Sequence, residues 1–268
     1  MGGSWEDEIK ALNKSPEIIL RVNSLKSSRD ELLSWLKREK YQALPMELPD
    51  AIRLTERANI FSSEAFRLGM FEQQDYSSQL VAPFLETKAG MRVVDACAGN
   101  GGKTLHLASI MSNKGRIIAL DVADWKLNEL KIRVRRAGAT IVEAKQIESS
   151  KTIKRLKDSA DRLLLDVPCS GLGVLRRNPD SKWRLTAEKI EDLKKIQTDI
   201  LDRYWIMVKP QGKLVYSTCS ILPSENGQQV RRFIDKYNGQ FVLEEEHSVL
   251  PSQSGFDGFY MARIRREF

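Results

Sequence analysis

The sequence predicts an α/β fold in which a Rossmann-like domain with a seven-stranded, mostly parallel sheet follows a small α/β domain. From about residue 75, apolar runs of strand length alternate with amphipathic helical segments, which is the pattern of a doubly wound parallel sheet. A glycine-rich stretch lies between the first of these strands and its helix. Two later strands each end directly before a loop that contains a cysteine, Cys169 or Cys219.

The first 72 residues are predicted to form the small domain, and residues 73–268 the large one. The expected elements of the small domain are a strand at 17–23, a helix capped by residues 27–31, a break at 45–49 and a short strand at 52–54. Leu32, Leu33 and Leu36 recur at helical spacing and form the inner face of the helix.

The large domain should contain seven strands, of which the last two form an antiparallel pair. The predicted strands are residues 91–95, 115–121, 139–142, 162–166, 212–216, 241–243 and 259–263. The predicted helices are residues 103–111, 125–137, 187–208 and 224–237. In an open sheet of this kind, ligands bind outside the carboxyl ends of the strands.

Composition narrows the classes of function. The 268 residues include 43 Lys and Arg against 36 Asp and Glu, a net charge of +7, which favours partners that carry phosphate groups. Three cysteines without CxxC spacing argue against a disulfide framework and a zinc site. Only two histidines are present, His106 and His247, so neither a histidine-based triad nor a multi-histidine metal centre is expected. We predict that the protein binds no metal.

The sequence also lacks the patterns of membrane and secreted proteins. No window approaches the run of about 18 apolar residues that a membrane helix needs. The N-terminal residues show no basic segment followed by an apolar one, so a signal peptide is not expected. We predict a cytoplasmic protein that does not contact membranes.

The glycine-rich stretch is the candidate cofactor loop. It reads Asp95-Ala96-Cys97-Ala98-Gly99-Asn100-Gly101-Gly102-Lys103-Thr104. Small residues let a ligand approach the backbone, and the start of the next helix offers free N–H groups. A phosphate-binding P-loop needs glycine where Cys97 stands, and a dinucleotide fingerprint needs glycine where Thr104 stands. The sequence therefore departs from both patterns.

Asp121 ends the second strand and could accept hydrogen bonds from both hydroxyls of a ribose. A carboxylate there disfavours a 2′-phosphate. Together with the glycine loop it indicates an adenosine-containing cofactor of the NAD or S-adenosylmethionine type. An ordinary strand-end turn residue is the alternative role for Asp121.

Cys169 and Cys219 lie fifty positions apart and carry the strongest functional signal. A free cysteine is commonly a small buried apolar residue. Here, however, each one follows a strand directly, which would bring both thiols to the edge of the sheet where ligands bind.

These stretches resemble the RsmB/NOP/NSUN family of S-adenosylmethionine-dependent RNA cytosine-carbon-5 methyltransferases, from about residue 15 to the C-terminus. The matching motifs are Cys97 to Thr104, Asp166-Val167-Pro168-Cys169-Ser170-Gly171, Ser217-Thr218-Cys219-Ser220, Pro223-Ser224-Glu225-Asn226, residues 71–80, residues 176–183 and Asp257-Gly258-Phe259-Tyr260. Gly99-Asn100 departs from the Ala-Pro usual in the family. Neither Glu143 nor Glu148 aligns clearly with the family's acidic residue near adenine.

The resemblance implies a class I methyltransferase domain, an RNA-recognition-like N-terminal domain, S-adenosylmethionine as cofactor and S-adenosylhomocysteine as product. It implies that Cys219 attacks cytosine, that Cys169 assists breakdown of the adduct, and that Asp166 contacts both cytosine and cofactor. The implied cofactor-binding residues are Cys97, Ala98, Gly99, Asn100, Gly101, Gly102, Lys103, Asp121 and Asp166. The substrate would be rRNA or tRNA, and we expect a monomer.

Several alternatives remain open. The two cysteines could exchange roles, because in related DNA enzymes the cysteine after proline attacks. The chain could instead be a non-catalytic RNA-binding or ribosome-assembly factor, a NAD-linked oxidoreductase, or a methyltransferase for another atom or for protein. Lys103 or the arginines at 176 and 177 could lower the pKa of a cysteine. Trp183, Phe71 and Tyr76 could stack on RNA bases, although core packing is the commoner role for each.

Overall fold

The structure is a computed structural model that describes residues 5–268. Most of the N-terminal stretch examined for a signal peptide, residues 1–4, lies outside the described part of the chain. A first helix, α1 (Trp5–Leu12), precedes the small domain. The elements of that domain are β1 (Ile19–Val22), α2 (Arg29–Arg38), β2 (Ala43–Pro45), β3 (Ala51–Leu54), α3 (Glu64–Arg67) and β4 (Phe71–Gln73).

The four strands of the small domain form an antiparallel sheet in the order β2-β3-β1-β4. With a helix after β1 and another after β3, this βαββαβ arrangement is ferredoxin-like. Helix α2 begins at the predicted capping box, in which Ser28 accepts a hydrogen bond from the Glu31 backbone, and Leu32 and Leu36 are buried. Strand β4 runs through residues 72 and 73, and a division of the chain at that point stays a prediction.

The large domain begins after β4. Its first elements are α4 (Tyr76–Phe84), β5 (Arg92–Asp95), α5 (Gly102–Ile110), β6 (Arg116–Asp121), α6 (Asp124–Ala137), β7 (Val142–Gln146), α7 (Ser150–Lys154) and β8 (Ala160–Asp166). The remaining elements are α8 (Ser181–Arg184), α9 (Ala187–Tyr204), β9 (Val208–Thr218), α10 (Gly227–Lys236), β10 (Phe241–Val249), α11 (Pro251–Ser254) and β11 (Phe259–Arg266).

The seven strands of this domain lie in the order β10-β11-β9-β8-β5-β6-β7. The five strands from β7 to β9 are parallel, whereas β11 pairs antiparallel with β9 and with β10. This is the Rossmann-like class I methyltransferase arrangement, and the predicted fold class is confirmed. Strand β6 pairs with one side of β5, and β8, later in the chain, pairs with the other side of β5. The topological switch point therefore lies between β5 and β8.

Both faces of the large sheet are covered. Leu163 and Leu165 pack into the core on one face, and Leu164 packs into the core on the other. This alternation follows from the two-residue period of a strand. A parallel sheet buried on both faces reads as the continuous apolar runs found in the sequence. None of the helices within residues 5–268 is both long and apolar enough to cross a membrane.

Several predicted boundaries were wrong, among them that of the strand predicted at residues 241–243, which runs to Val249. The third strand begins at Val142 rather than at residue 139, because Gly138 ends α6 in a left-handed conformation and the Ala139 amide bonds back to Val134. Helix α9 ends at Tyr204 rather than at residue 208, since residues 205–207 tighten into a 3₁₀ turn. In addition, the segment predicted only as a break at residues 45–49 contains the end of strand β2, at Pro45. Because β2 is an edge strand, the missing N–H of proline is tolerated there.

Candidate active site

The two cysteines predicted to share one edge of the sheet lie next to each other. Cys169 follows β8 and Cys219 follows β9, and their Sγ atoms are 3.3 Å apart. Both side chains are half-buried. The parallel pairing of β8 with β9, which sets Asp166 opposite Ser217, brings the two loops together.

The contact between the sulfurs affects the pKa of Cys169. The hydrogen bond with Cys219 and, next, burial raise the pKa of Cys169 well above its ordinary value. The negative charge of Glu225 acts in the same direction. The raised pKa favours the thiol form of Cys169, and either sulfur can be the donor in the hydrogen bond between them.

Asp166 lies at the end of β8, beside the cysteines. Its Oδ2 atom lies 2.6 Å from Nζ of Lys103, and its Oδ1 atom accepts a 2.8 Å hydrogen bond from the Ser217 hydroxyl. The carboxylate thus joins the candidate cofactor loop to the strand that carries Cys219. It is only partly buried and remains open to a ligand.

The cations proposed to lower the pKa of a cysteine have other partners. Lys103 pairs with Asp166, and both Arg176 and Arg177 bind the buried carboxylate of Asp257. Arg177 also pairs with Asp75. The pKa of Cys169 is raised by its hydrogen bond with Cys219 and by burial, so a lowering by these cations stays a hypothesis.

The candidate cofactor loop connects β5 to α5. Gly99 and Gly101 have positive φ angles, 53° and 85°, which favour glycine. A Cβ atom built at Gly99 or at Gly102 would meet nothing within 4 Å, so the space above the loop is open. The Gly99 amide donates a 2.9 Å hydrogen bond to Oδ2 of Asp121, and the Ala123 amide donates one of the same length to Oδ1.

This arrangement fits an adenosine-containing cofactor. Asp121 is held by two backbone amides at the end of β6, and each of its oxygens retains acceptor capacity for a ribose hydroxyl. The open glycine backbone faces the same edge of the sheet. Cys97, the third cysteine, packs against the core, and burial raises the pKa of its thiol well above the ordinary value.

Asp95 ends β5 beneath the loop. Its Oδ2 atom accepts a 2.7 Å hydrogen bond from the Thr104 hydroxyl. Burial raises the pKa of Asp95 to about 7, and the charge of Asp166 contributes in the same direction. The two strand-end carboxylates are therefore unlike, since Asp166 has a cationic partner and Asp95 is enclosed.

The cysteines line two different clefts. Cys219 lines a cleft of about 700 Å³, together with residues of the small domain, the arginines of α6 and residues that follow Cys169 along the chain: Phe61, Phe66, Glu72, Arg133, Arg136, Arg177, Asn178 and Phe259. Cys169 lines a second cleft of about 420 Å³ with Ser170, Arg184, Leu185 and Lys189. The cleft beside Cys219 is the larger of the two and contains exposed aromatic surface, since Phe61 is 52% exposed.

Buried polar contacts from β1 join the small domain to the large one. Arg21 donates to the carbonyl of Gly102 at 2.6 Å and to the side chain of Gln74, and burial lowers its pKa to about 10. Asn23 donates to the carbonyl of Ala137 at 2.8 Å. The sequence reasoning missed these contacts. The only signal for them was polar residues in an otherwise apolar strand.

The aromatic residues proposed to stack on RNA have different environments. Phe71 is fully buried in the core of the small domain, so that possibility was wrong for Phe71. Tyr76 stacks on Phe256, with ring centroids 4.5 Å apart. Trp183 is 82% exposed and remains accessible. Within residues 5–268, no three His, Cys, Asp or Glu side chains group in a way that could hold a metal ion.

Two candidate adenine contacts remain without support. Glu143 lies on the edge strand β7 and forms ion pairs with Arg116 and Lys145. Glu148 is exposed beyond the end of that strand. Neither carboxylate forms a hydrogen bond with the cofactor loop.

Comparisons with known proteins agree with this geometry. Residues 82–265 match the family model described as 16S rRNA methyltransferase RsmB/F, and residues 1–61 match its ferredoxin-like domain. The chain is 36% identical to ribosomal RNA small subunit methyltransferase B of Proteus mirabilis over 266 residues, and 35% identical to that of Pasteurella multocida over 278 residues. Each alignment covers 98% of this chain and 62% of the relative, so the chain spans about three fifths of the relatives' length.

A solved structure shows the same architecture. The crystal structure of a methyltransferase homolog protein from Pyrococcus horikoshii is 29% identical, with a TM-score of 0.86 over 99% of this chain and 91% of that one. The resemblance carried by the motifs is thereby confirmed. With both of its domains matched, the chain belongs to the RsmB/F family of rRNA methyltransferases.

Proposed function

We propose that this chain transfers a methyl group from S-adenosylmethionine to carbon 5 of a cytosine in RNA, through a covalent bond between Cys219 and the base. The observation that carries the proposal is the pair of sulfur atoms 3.3 Å apart in the loops after β8 and β9, with Asp166 at the end of β8 paired to Lys103 of the glycine loop. Names of relatives refer to ribosomal RNA of the small subunit, which is accordingly the proposed substrate.

Carbon 5 of cytosine is a poor nucleophile, so the chemistry needs an activating group. Addition of a thiolate to carbon 6 makes carbon 5 electron-rich. Cys219 is the proposed nucleophile, because it lines the larger cleft and because the raised pKa of Cys169 favours the unreactive thiol form of that residue. The larger cleft beside Cys219 would receive the base after it leaves its stack.

Asp166 is the proposed partner of the cytosine ring. A carboxyl group that hydrogen-bonds nitrogen 3 stabilises the charge that accumulates on the ring. Lys103 and Ser217 hold Asp166 in place from two sides. When bound, S-adenosylmethionine supplies a methyl group on a positively charged sulfur, within reach of a nucleophilic carbon. Asp121 and the backbone of residues 97–103 are the proposed contacts for its adenosine and its remaining polar groups.

The adduct must then be broken. Carbon 5 loses its proton to water in the open cleft, the double bond to carbon 6 is restored, and the electron pair of the carbon–sulfur bond returns to Cys219 as a thiolate. Cys169 is the proposed group for this stage, because its thiol is in contact with the departing sulfur and can donate a hydrogen bond to the thiolate as it leaves. Its raised pKa favours the thiol form that this role needs.

The test follows methyl groups into RNA. Small-subunit rRNA transcripts are incubated with the protein and S-adenosylmethionine labelled in its methyl group, and the modified position is mapped by bisulfite sequencing. We expect label at a cytosine that resists bisulfite conversion. RNA carrying 5-fluorocytosine should form a stable adduct, because fluorine at carbon 5 cannot leave as a proton. Label at another atom, or binding without label, would contradict the proposal. A cytoplasmic location and a monomeric state stay predictions.

A further inference from the structure

A buried carboxylate connects the two cysteine loops from below. Glu225 is 0% exposed and lies in the turn before α10. Its Oε1 atom accepts a 2.8 Å hydrogen bond from the Ser170 amide, and its Oε2 atom accepts hydrogen bonds from the hydroxyls of Ser170 and Ser220. Ser170 directly follows Cys169, and Ser220 directly follows Cys219. One side chain therefore binds both loops next to their sulfurs.

Gln197, on α9, completes this network. It is 0% exposed, and its amide donates 2.9 Å hydrogen bonds to Oε1 of Glu225 and to the carbonyl of Pro168. Pro168, before Cys169, and Ser170, after it, are thus both held by the pair formed by Gln197 and Glu225. The hydroxyls of Ser170 and Ser220 also lie 3.1 Å apart, which closes the network between the loops.

Burying a carboxylate among neutral donors is costly unless every acceptor site is used. Glu225 receives two N–H and two O–H donors, which matches the capacity of a carboxylate. Such a network is rigid when it is complete, because breaking one bond leaves a buried polar atom without a partner. The loops it binds should be equally restricted.

We propose that Glu225 is the positioning residue that holds the loops of Cys169 and Cys219 in register, so that the two sulfur atoms stay in contact. Glu225 touches neither cleft, and it acts through Ser170 and Ser220. The proposal rests on the proposed function for its importance to catalysis, but the register itself can be measured without RNA or methyl donor.

The measurement is the rate at which Cys169 and Cys219 form a disulfide with diamide. Two thiols are oxidised to one disulfide, and the azo group of diamide takes up the two electrons and two protons as a hydrazine. Peptide mapping without reduction identifies the Cys169–Cys219 product and separates it from any product of Cys97. The rate reports how often the two sulfurs meet.

Glu225→Met keeps the volume and removes all four acceptor contacts, so we expect trapping to slow at least about tenfold. Glu225→Gln can still accept from the two N–H donors and donate to the two hydroxyl oxygens, so it should stay within about threefold of the wild-type rate. The matched control is Gln229→Met. Gln229 is also buried, in the first turn of α10, and it contacts Thr198 and the carbonyls of Lys194 and Ser224 rather than the cysteine loops.

Trapping by Glu225→Met at the wild-type rate would overturn the proposal, as would an equal slowing in Gln229→Met. If Glu225→Met does not fold, the trapping rate is measured instead in the double variant Ser170→Ala with Ser220→Ala. It should slow trapping severalfold, and an unchanged rate would overturn the proposal equally. A wild-type protein that traps rapidly but methylates no RNA would refute the proposed function alone. In Glu225→Met, slow disulfide trapping together with a lowered kcat and an unchanged KM for RNA would support both proposals.

Discussion

The loops that follow β8 and β9 are alike in sequence and unlike in environment. Each begins where a parallel strand ends and carries cysteine followed by serine. Cys169 faces the smaller cleft, and its contact with the other thiol and its burial raise its pKa. Cys219 faces the larger cleft between the two domains, beside the arginines of α6. The difference teaches that two cysteines at matching positions after neighbouring strands can have different surroundings, and the proposed division of their tasks rests on that difference.

The largest expected effect comes from removing the cysteine of the larger cleft. Cys219→Ala should lower methyl transfer by about 10³-fold or more, because the base would lack its attacking thiolate. Cofactor binding should persist, since the glycine loop and Asp121 lie on β5 and β6. Methyl incorporation and calorimetric titration with S-adenosylmethionine measure the two properties. Undiminished turnover would remove Cys219 from the role of nucleophile.

Cys169→Ala should produce a different defect. Turnover should fall by about 10²-fold, because the departing thiolate of Cys219 loses the thiol that hydrogen-bonds it. A protein–RNA adduct should therefore accumulate and survive denaturing electrophoresis. Cys219→Ala, run beside it, is the matched control and should form no such band. An adduct in Cys219→Ala and none in Cys169→Ala would show that the two roles are reversed.

Asp166→Asn tests the carboxylate that lies beside both loops. The amide keeps the size of the side chain but loses the charge that pairs with Lys103, so we expect a loss of about 10- to 100-fold in kcat. Ser217→Ala, which removes only a hydrogen bond to the same carboxylate, should cost less. Steady-state kinetics with saturating RNA measures both variants. Equal activity of Asp166→Asn and the wild type would exclude a role for the charge.

The prediction for Asp95 concerns the stability of the fold rather than the rate of methyl transfer. Because burial raises its pKa from 3.8 to about 7, the folded protein holds this proton more tightly than the unfolded chain does. The contribution of Asp95 to stability is therefore complete below pH 3.8 and is lost as the pH rises through 7. The free energy involved is about 4 kcal/mol at most.

Asp95→Asn should flatten this dependence, because the amide does not titrate. Urea unfolding at several values between pH 4 and pH 8 measures the slope for the wild type and the variant. Other groups titrate in both proteins, so the difference between the two curves is the informative quantity. Parallel curves would show that Asp95 has an ordinary pKa in the folded protein.

Much of the fold was predictable because its signals are local. The capping box at Ser28 begins α2 as expected, and the alternation of apolar runs with helices led to the seven strands. The element boundaries that were predicted wrongly depend on hydrogen bonds and strand pairing with other parts of the chain. Gly138 ends α6 in a left-handed conformation, the Ala139 amide bonds back to Val134 five positions earlier, and strand β7 begins only at Val142, where the pairing with β6 starts. Helices α4 and α7 had no signal strong enough to be predicted.

The candidate site was predictable only in part. Parallel strands present their carboxyl ends at one edge, so the proximity of the two cysteine loops followed from the strand pattern. The strand pattern could not predict the partner of Arg176 and Arg177, since Asp257 lies about eighty positions further along the chain. The sequence motif included Glu225 without indicating that it binds both loops.

The amino-acid sequence by itself determined the class of fold, the family and the set of chemically reactive residues, because periodicity and short motifs are properties of neighbouring residues. Only the tertiary structure decided which cleft each cysteine faces, that the two sulfurs are in contact, and which buried carboxylate binds both loops. These properties depend on contacts between residues 28 to 55 positions apart in the chain, such as those of Glu225 with Gln197 and with Ser170. Burial and hydrogen bonding at such distances arise from packing, which no local pattern records.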